Sequence, residues 1–203
     1  MKQNAFLLIG CIMAFVASAQ DNKSNKFVLE ANVGMMNTLN YSSVSLFSDA
    51  TPHYTFLSEG IFVGMEQNGS STGLSLRMAS SNTLQPYQEK FGLMSATLTV
   101  RKNYPLCDMF SLCAGANAGV SMLSNNFTTD GTALQVIKRY AFIGELESGV
   151  IYHINAKSYF RASGLLTVMP LRRHDYILPD GAVPNHQYGI LGFQLMLTAG
   201  MRL

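Results

Sequence analysis

Four histidines, three cysteines and a scatter of serines are the groups in this 203-residue chain best suited to acid–base or nucleophilic chemistry. Acyl transfer or hydrolysis needs a nucleophile, a base and a group that orients the base, all within hydrogen-bond reach. His53, His174 and His186 stand in long polar stretches, and His153 in a short one. Ser58 or Ser163 falls where a histidine could approach, yet neither lies in a Gly-x-Ser-x-Gly elbow, the strained turn that exposes a nucleophilic serine. Each histidine is therefore read as a solvated loop residue, and no enzymatic activity is expected. His53, His174, Asp175 and His186 could meet only from two separate segments, without the short ligand spacing of zinc sites. No metal or cofactor is expected. Cys107 and Cys113 would lie about 20 Å apart in an extended chain, beyond disulfide reach. Only a turn folding Cys107 back would allow the bond.

The charged side chains are more ordered. Glu30, Glu66, Arg77, Arg101, Glu145, Glu147, Arg161 and Arg202 each occupy a polar position in a segment where apolar and polar residues alternate. Alternation with a period of two is the mark of a strand with two unlike faces, and eight such segments lie between Lys26 and Leu203. The first sets Phe27, Leu29, Ala31, Val33 and Met35 against Glu30, Asn32 and Gly34. The second, Tyr54 to Glu66, sets Leu57, Ile61, Val63 and Met65 against Ser58, Gly60, Phe62, Gly64 and Glu66, with Glu59 discordant on the apolar side. The third and fourth alternate around Leu74–Ala79 and Met94–Arg101, and the fifth runs from Phe110 to Leu123. Tyr140 to Tyr152, Phe160 to Val168 and Gly192 to Leu203 complete the set. In a soluble sandwich the polar faces would meet water around an apolar core between two sheets. In a small membrane barrel they turn inward, where opposite charges pair. The expected lumen set is Glu30, Arg77, Arg101, Glu145, Glu147 and Arg161.

Connector lengths favour the barrel. Residues 38–53, 81–90, 124–139 and 171–187 form long connectors; those near Gln67–Ser70, Asn103–Asp108 and His153–Lys157 are short. With both termini in the periplasm, every long connector falls outside and every short one inside, the sidedness of bacterial outer-membrane barrels. Aromatics gather at the strand ends: Phe56, Phe91, Tyr140, Phe142 and Tyr188 at the outer, and Phe27, Tyr104, Phe110, Tyr152, Tyr159 and Phe160 at the inner. Two belts at headgroup level are expected.

The first residues supply a route to the membrane. A weakly basic start precedes the apolar run Ala5–Val16, and Ala17-Ser18-Ala19 provides a small-x-small cleavage pattern before Gln20. Residues 1–19 read as a secretory signal and 20–203 as one barrel domain. Leu8-Ile9-Gly10-Cys11 offers a lipoprotein-type alternative, but cleavage there leaves too short an apolar core. The chain is 48% hydrophobic and 13% charged, with 14 basic and 12 acidic side chains. This near balance lacks the basic excess of a nucleic-acid binder. After the signal no apolar run approaches the roughly twenty residues of a helical span.

The block Tyr104-Pro105-Leu106-Cys107-Asp108, followed by Ser111-Leu112-Cys113-Ala114-Gly115-Ala116-Asn117-Ala118-Gly119, resembles the central turn and glycine-rich strand of small bacterial outer-membrane β-barrel proteins. With the signal and the alternating last strand, the resemblance covers nearly the whole chain as architecture and carries no catalytic motif. The family usually closes on an aromatic residue, whereas this chain ends on Leu203. The fold implied is all-β: an eight-stranded antiparallel up-and-down transmembrane barrel in the outer membrane. Eight strands enclose a bore just wide enough for side chains, whereas porin channels need about sixteen, so a closed lumen and a monomer are expected. Function then falls to the outer loops, through an extracellular ligand or an envelope protein partner. Lys90, Lys138, Arg139, Arg172 and Arg173 gather near the outer strand ends, where charge-assisted contacts to lipopolysaccharide phosphates are expected. The alternatives are an outer-membrane lipid-modifying enzyme and a soluble exported barrel carrying lipid.

Overall fold

A computed structural model describes residues 25–41, 55–81, 90–129, 132–171 and 188–203, with the side chains of 39–41, 125–139 and 171–189 outside that description. Residues 1–19, expected to be a signal, and most of the expected long connectors lie outside the described residues. Eight strands follow in order: β1 (Asn25–Tyr41), β2 (Thr55–Gln67), β3 (Ser70–Ser81), β4 (Lys90–Pro105), β5 (Phe110–Thr129), β6 (Thr132–His153), β7 (Ser158–Leu171) and β8 (Tyr188–Arg202). Each pairs antiparallel with the next, and β8 returns to β1 to close the barrel. The closing ladder runs from Val28↔Arg202 to Tyr41↔Ile190, with one irregularity between Thr38 and Asn40. The expected up-and-down barrel is what the chain forms.

The tightest inner turn shows the sequence at work. Asn68 and Gly69 both take positive φ, 51° and 74°, the geometry of the two-residue hairpin turn that matches strand twist and favours Asn-Gly. Along each strand, burial then alternates. Leu57, Leu98, Val120, Phe142, Leu146 and Leu197 are each more than half exposed on the outer wall. Water-soluble monomers rarely show apolar patches beyond a few hundred Å², whereas here the apolar side chains encircle the barrel. Arg77, Glu145 and Arg161 are buried inside, so the soluble alternative fails its own requirement that they face outward.

Two expectations are corrected. Residues 124–139 are not a long loop: β5 runs on to Thr129 and β6 starts at Thr132, paired as Thr129↔Thr132. The β-branched residues Thr128, Thr129, Val136 and Ile137 suit extended backbone, and Asp130-Gly131 is a hairpin signal that outweighs the polar composition. Nor do all the aromatics form belts. Tyr140, Phe142, Tyr104, Tyr152 and Phe160 point outward, but Phe56, Phe91 and Tyr159 are buried inside. The last three share the parity of Ser58, Leu93 and Arg161, and parity overrides nearness to a strand end.

The β6–β7 ladder is short. It extends only from Gly144↔Val168 to His153↔Tyr159, although both strands continue outward. Beyond Val168, Met169, Pro170 and Leu171 pair with β8 alone, and residues 140–143 pair with β5 alone. Pro170 has no N–H to donate and belongs at a strand edge. Amides of residues 140–143 that face β7 are expected to exchange with solvent about tenfold or more faster than those of residues 145–151. Equal protection in a hydrogen-exchange measurement would mean that the ladder continues.

Candidate functional site

Glycines make the room in which the interior is built. Gly64 and Gly73 face each other across β2 and β3, and a Cβ on Gly73 would sit 2.2 Å from the Val63 carbonyl oxygen and 2.8 Å from the Phe62 ring. That space lets Phe62 turn inward, where the Arg101 guanidinium carbon lies 5.3 Å from its ring centre. Gly200, opposite Tyr159 in register, has the same role, because a Cβ there would meet the Tyr159 ring at 2.2 Å.

Around these rings the charged side chains form tiers. In the central tier Arg161 grips Glu30 with two parallel bonds, Nη1 to Oε1 at 2.6 Å and Nη2 to Oε2 at 2.8 Å. This bidentate geometry is the strong form of the contact. Arg101 Nη1 reaches the same Glu30 oxygen at 3.0 Å, while its Nε donates to Glu147 Oε2 at 3.2 Å. Arg161 Nε lies 3.1 Å from Glu147 Oε1, so the four groups close into a ring of two cations and two anions. Tyr159 adds its hydroxyl to Glu30. None of these four charged side chains is more than 4% exposed.

The next tier outward is the Arg77–Glu145 ion pair. Arg77 Nη1 also donates to Gln194 Oε1 at 3.2 Å, and Glu145 accepts from Asn117 Nδ2 at 2.9 Å and Thr167 Oγ1 at 3.3 Å. Beyond it the lumen turns apolar, packed by Met36, Phe56, Phe91, Leu93, Leu123, Met169 and Ile190. The cavity left between pair and plug is about 20 Å³, room for about one water. Every member of the expected lumen set thus lies inside, in two groups: Glu30, Arg101, Glu147 and Arg161 in one, Arg77 and Glu145 in the other. The apolar plug was not anticipated.

At the end of the barrel that carries the short connectors, Arg202 Nε donates to Glu66 Oε1 at 3.0 Å, and Asn103 Nδ2 to Glu66 Oε2 at 3.3 Å. Here a serine and a histidine do meet, but the serine is Ser111: its Oγ lies 2.9 Å from His153 Nε2. The register Ser111↔Ile151 puts them together, which no local spacing in the chain reveals. Arg202 Nη1 lies 3.4 Å from His153 Nδ1. A guanidinium only donates, so a hydrogen bond from Arg202 gives Nδ1 the acceptor role and assigns the neutral ring's proton to Nε2, on the side of Ser111. A general base needs the reverse, a free Nε2 lone pair at the hydroxyl and a carboxylate at Nδ1. Ser58 instead accepts from Gln194 Nε2, and Ser163 is buried in the lumen.

Of the basic rim, Lys90 opens β4 and is exposed. Lys138 and Arg139 lie in β6 with their side chains outside the described residues, as are Arg172 and Arg173 altogether. His53, His174, Asp175 and His186, not expected to form a metal site, also fall outside them. Cys107 is exposed, Cys113 is buried in the lumen, and both are free thiols.

A closed ring of eight antiparallel strands, apolar outside and charged within, is the architecture of the small outer-membrane β-barrels, the class that the sequence resembles. Among solved structures, 87% of the chain superposes on 97% of the neisserial surface protein A, NspA, with a TM-score of 0.60 at 12% identity. Ail, the attachment invasion locus protein of Yersinia pestis, matches 89% of the chain over 99% of its own length, with a TM-score of 0.51 at 11% identity. At such identities the fold is what is shared. No family model and no curated protein matches the chain.

Proposed function

We propose that this protein is an integral outer-membrane barrel with a sealed lumen, exported by residues 1–19 and folded from 20–203, that acts as a scaffold for binding or envelope assembly. The observation that carries this reading is the filling of the bore by two neutral ion-pair tiers and an apolar plug. A bore so packed passes no solute, and the work moves to the outer connectors 42–54, 82–89 and 172–187 and the β5–β6 hairpin. Exposed segments on a rigid scaffold are where recognition commonly resides. Tyr41 at the end of β1, with Phe47, Phe127, Tyr176 and Ile177, supplies apolar anchors for an extracellular ligand or an envelope partner. Lys90, Lys138, Arg139, Arg172 and Arg173 are proposed to contact lipopolysaccharide phosphates around the rim. Arg202 stands beside His153 Nδ1, where a catalytic triad holds a carboxylate, and this argues against acyl transfer at Ser111, so the scaffold reading is preferred to a lipid-modifying enzyme. In planar bilayers the purified protein is expected to give no steady conductance. Large stable steps would overturn the sealed lumen.

A further inference from the structure

Glu59 is exposed on the outer wall of β2, between Ile61 below and Leu57 above, and its register partners are Val33 on β1 and Met78 on β3. All four neighbours are exposed apolar side chains. Among the described residues it is the only carboxylate on the outer face of a strand, and no hydrogen bond or ion pair reaches its side chain; the other strand carboxylates turn inward to arginines. An ionisable group on a lipid-facing surface is costly and marks a site whose partner must be named.

The surroundings supply the second half of a site. Two register rows cross the wall here. The upper runs Glu59, Met78, Met94, Met122, Tyr140; the lower runs Ile61, Leu76, Ala96, Val120. The short Ala96 among longer neighbours contributes to a depression of about 810 Å³ bordered by Glu59, Met78 and Met94. Methionine is unbranched and flexible, able to mould to a chain of no fixed shape. Glu59 stands eight residues above Gln67, roughly 20 Å above the β2–β3 turn at about 3.3 Å per residue and a tilt of about 40°, in an apolar band about 25 Å tall. That height is near the outer headgroup level.

We infer that this depression is a lipid site: an acyl chain lies along the methionine and alanine rows while an ammonium group of the same molecule pairs with Glu59. The inference rests on the membrane-spanning reading. A lipid is favoured over a protein strand because Glu59 is paired on both sides, leaving no strand edge to extend. Charge complementarity sets the class, an amphiphile bearing an amine.

The test uses the full-length protein folded into vesicles of equal phosphatidylethanolamine and phosphatidylglycerol with identical acyl chains, followed by native mass spectrometry of retained lipid. Heat-modifiable migration certifies folding of each variant independently. Wild type and Glu59→Asp are expected to retain the amine lipid about three- to fivefold over the glycerol lipid, the range of a partly exposed ion pair. Glu59→Gln should bring the ratio to about one. Equal retention by folded wild type, or a preference that survives in Glu59→Gln, overturns the site while leaving the barrel standing. Copurification of a membrane protein with wild type but not with Glu59→Gln overturns the lipid assignment in favour of a protein occupant. Failure of wild type to fold in vesicles at all would instead strike the membrane reading.

Discussion

Glu30→Gln is expected to destabilise the barrel by about 3–5 kcal/mol, the cost of removing one partner from a buried ion pair and leaving charge uncompensated. Glu30 is the hub of the central tier: it accepts from Arg161, Arg101 and Tyr159. Its loss leaves two guanidinium groups facing Glu147 alone. The ring also makes a sharper statement about non-additivity. In Glu30→Gln/Arg161→Met, Arg101 and Glu147 remain as a balanced pair, 3.2 Å apart. The double variant is therefore expected to be more stable than the Glu30→Gln single variant, as coupled neighbours within one network allow. Glu66→Gln is the contrast. It breaks the Arg202 contact at the short-connector end, where both side chains retain some exposure, 12% and 8%, and solvent tempers the loss. The measurement is urea unfolding in lipid vesicles, reading midpoints at constant slope. A Glu30→Gln loss below about 1 kcal/mol, or a double variant worse than the single one, would sink the account of a charge-balanced ring.

The fold was legible because a barrel writes its faces into alternate residues. Leu98 and Arg101 differ in parity and end on opposite sides of the wall. Glu59 was visible as a discordant residue on the apolar face for the same reason. What misled was reasoning by position along a strand instead of by parity: Phe56, Phe91 and Tyr159 sit near strand ends, but their parity turns them into the lumen. The pairing of the charges was not legible. Glu30 and Arg161 lie 131 residues apart, on strands β1 and β7 that are not neighbours. Their meeting depends on closure of β8 onto β1, on the register of every ladder between, and on Gly200 making room for Tyr159. Ser111 and His153 meet for a comparable reason, through a ladder and not through a motif. The candidate lumen residues could thus be named from single strands, while the ring they form is a property of the closed barrel.

Leu98→Arg is expected to cost about 2–4 kcal/mol when the protein is folded in a bilayer, the penalty for a cation placed deep on the lipid face of a barrel. Leu98 is 67% exposed on β4, four residues above Lys102, and is flanked in register by Leu74 and Ala118. No packing is lost on its outward side, so a protein surrounded by water would scarcely notice the change, as surface substitutions away from special features usually stay within about 0.5 kcal/mol. Leu106→Arg is the matched control. Leu106 is 63% exposed but lies in the connector after β4, outside the strand wall, and its substitution is expected to be nearly neutral. Equilibrium unfolding of both variants in vesicles gives the comparison. A large loss at Leu98 with none at Leu106 means that hydrocarbon surrounds the wall; equal small losses mean that it does not. The result is independent of the lumen, because Leu98 touches none of the charged tiers. A sealed interior and a lipid-facing exterior can therefore be tested separately, and only their joint success supports a scaffold whose activity lies outside the bore.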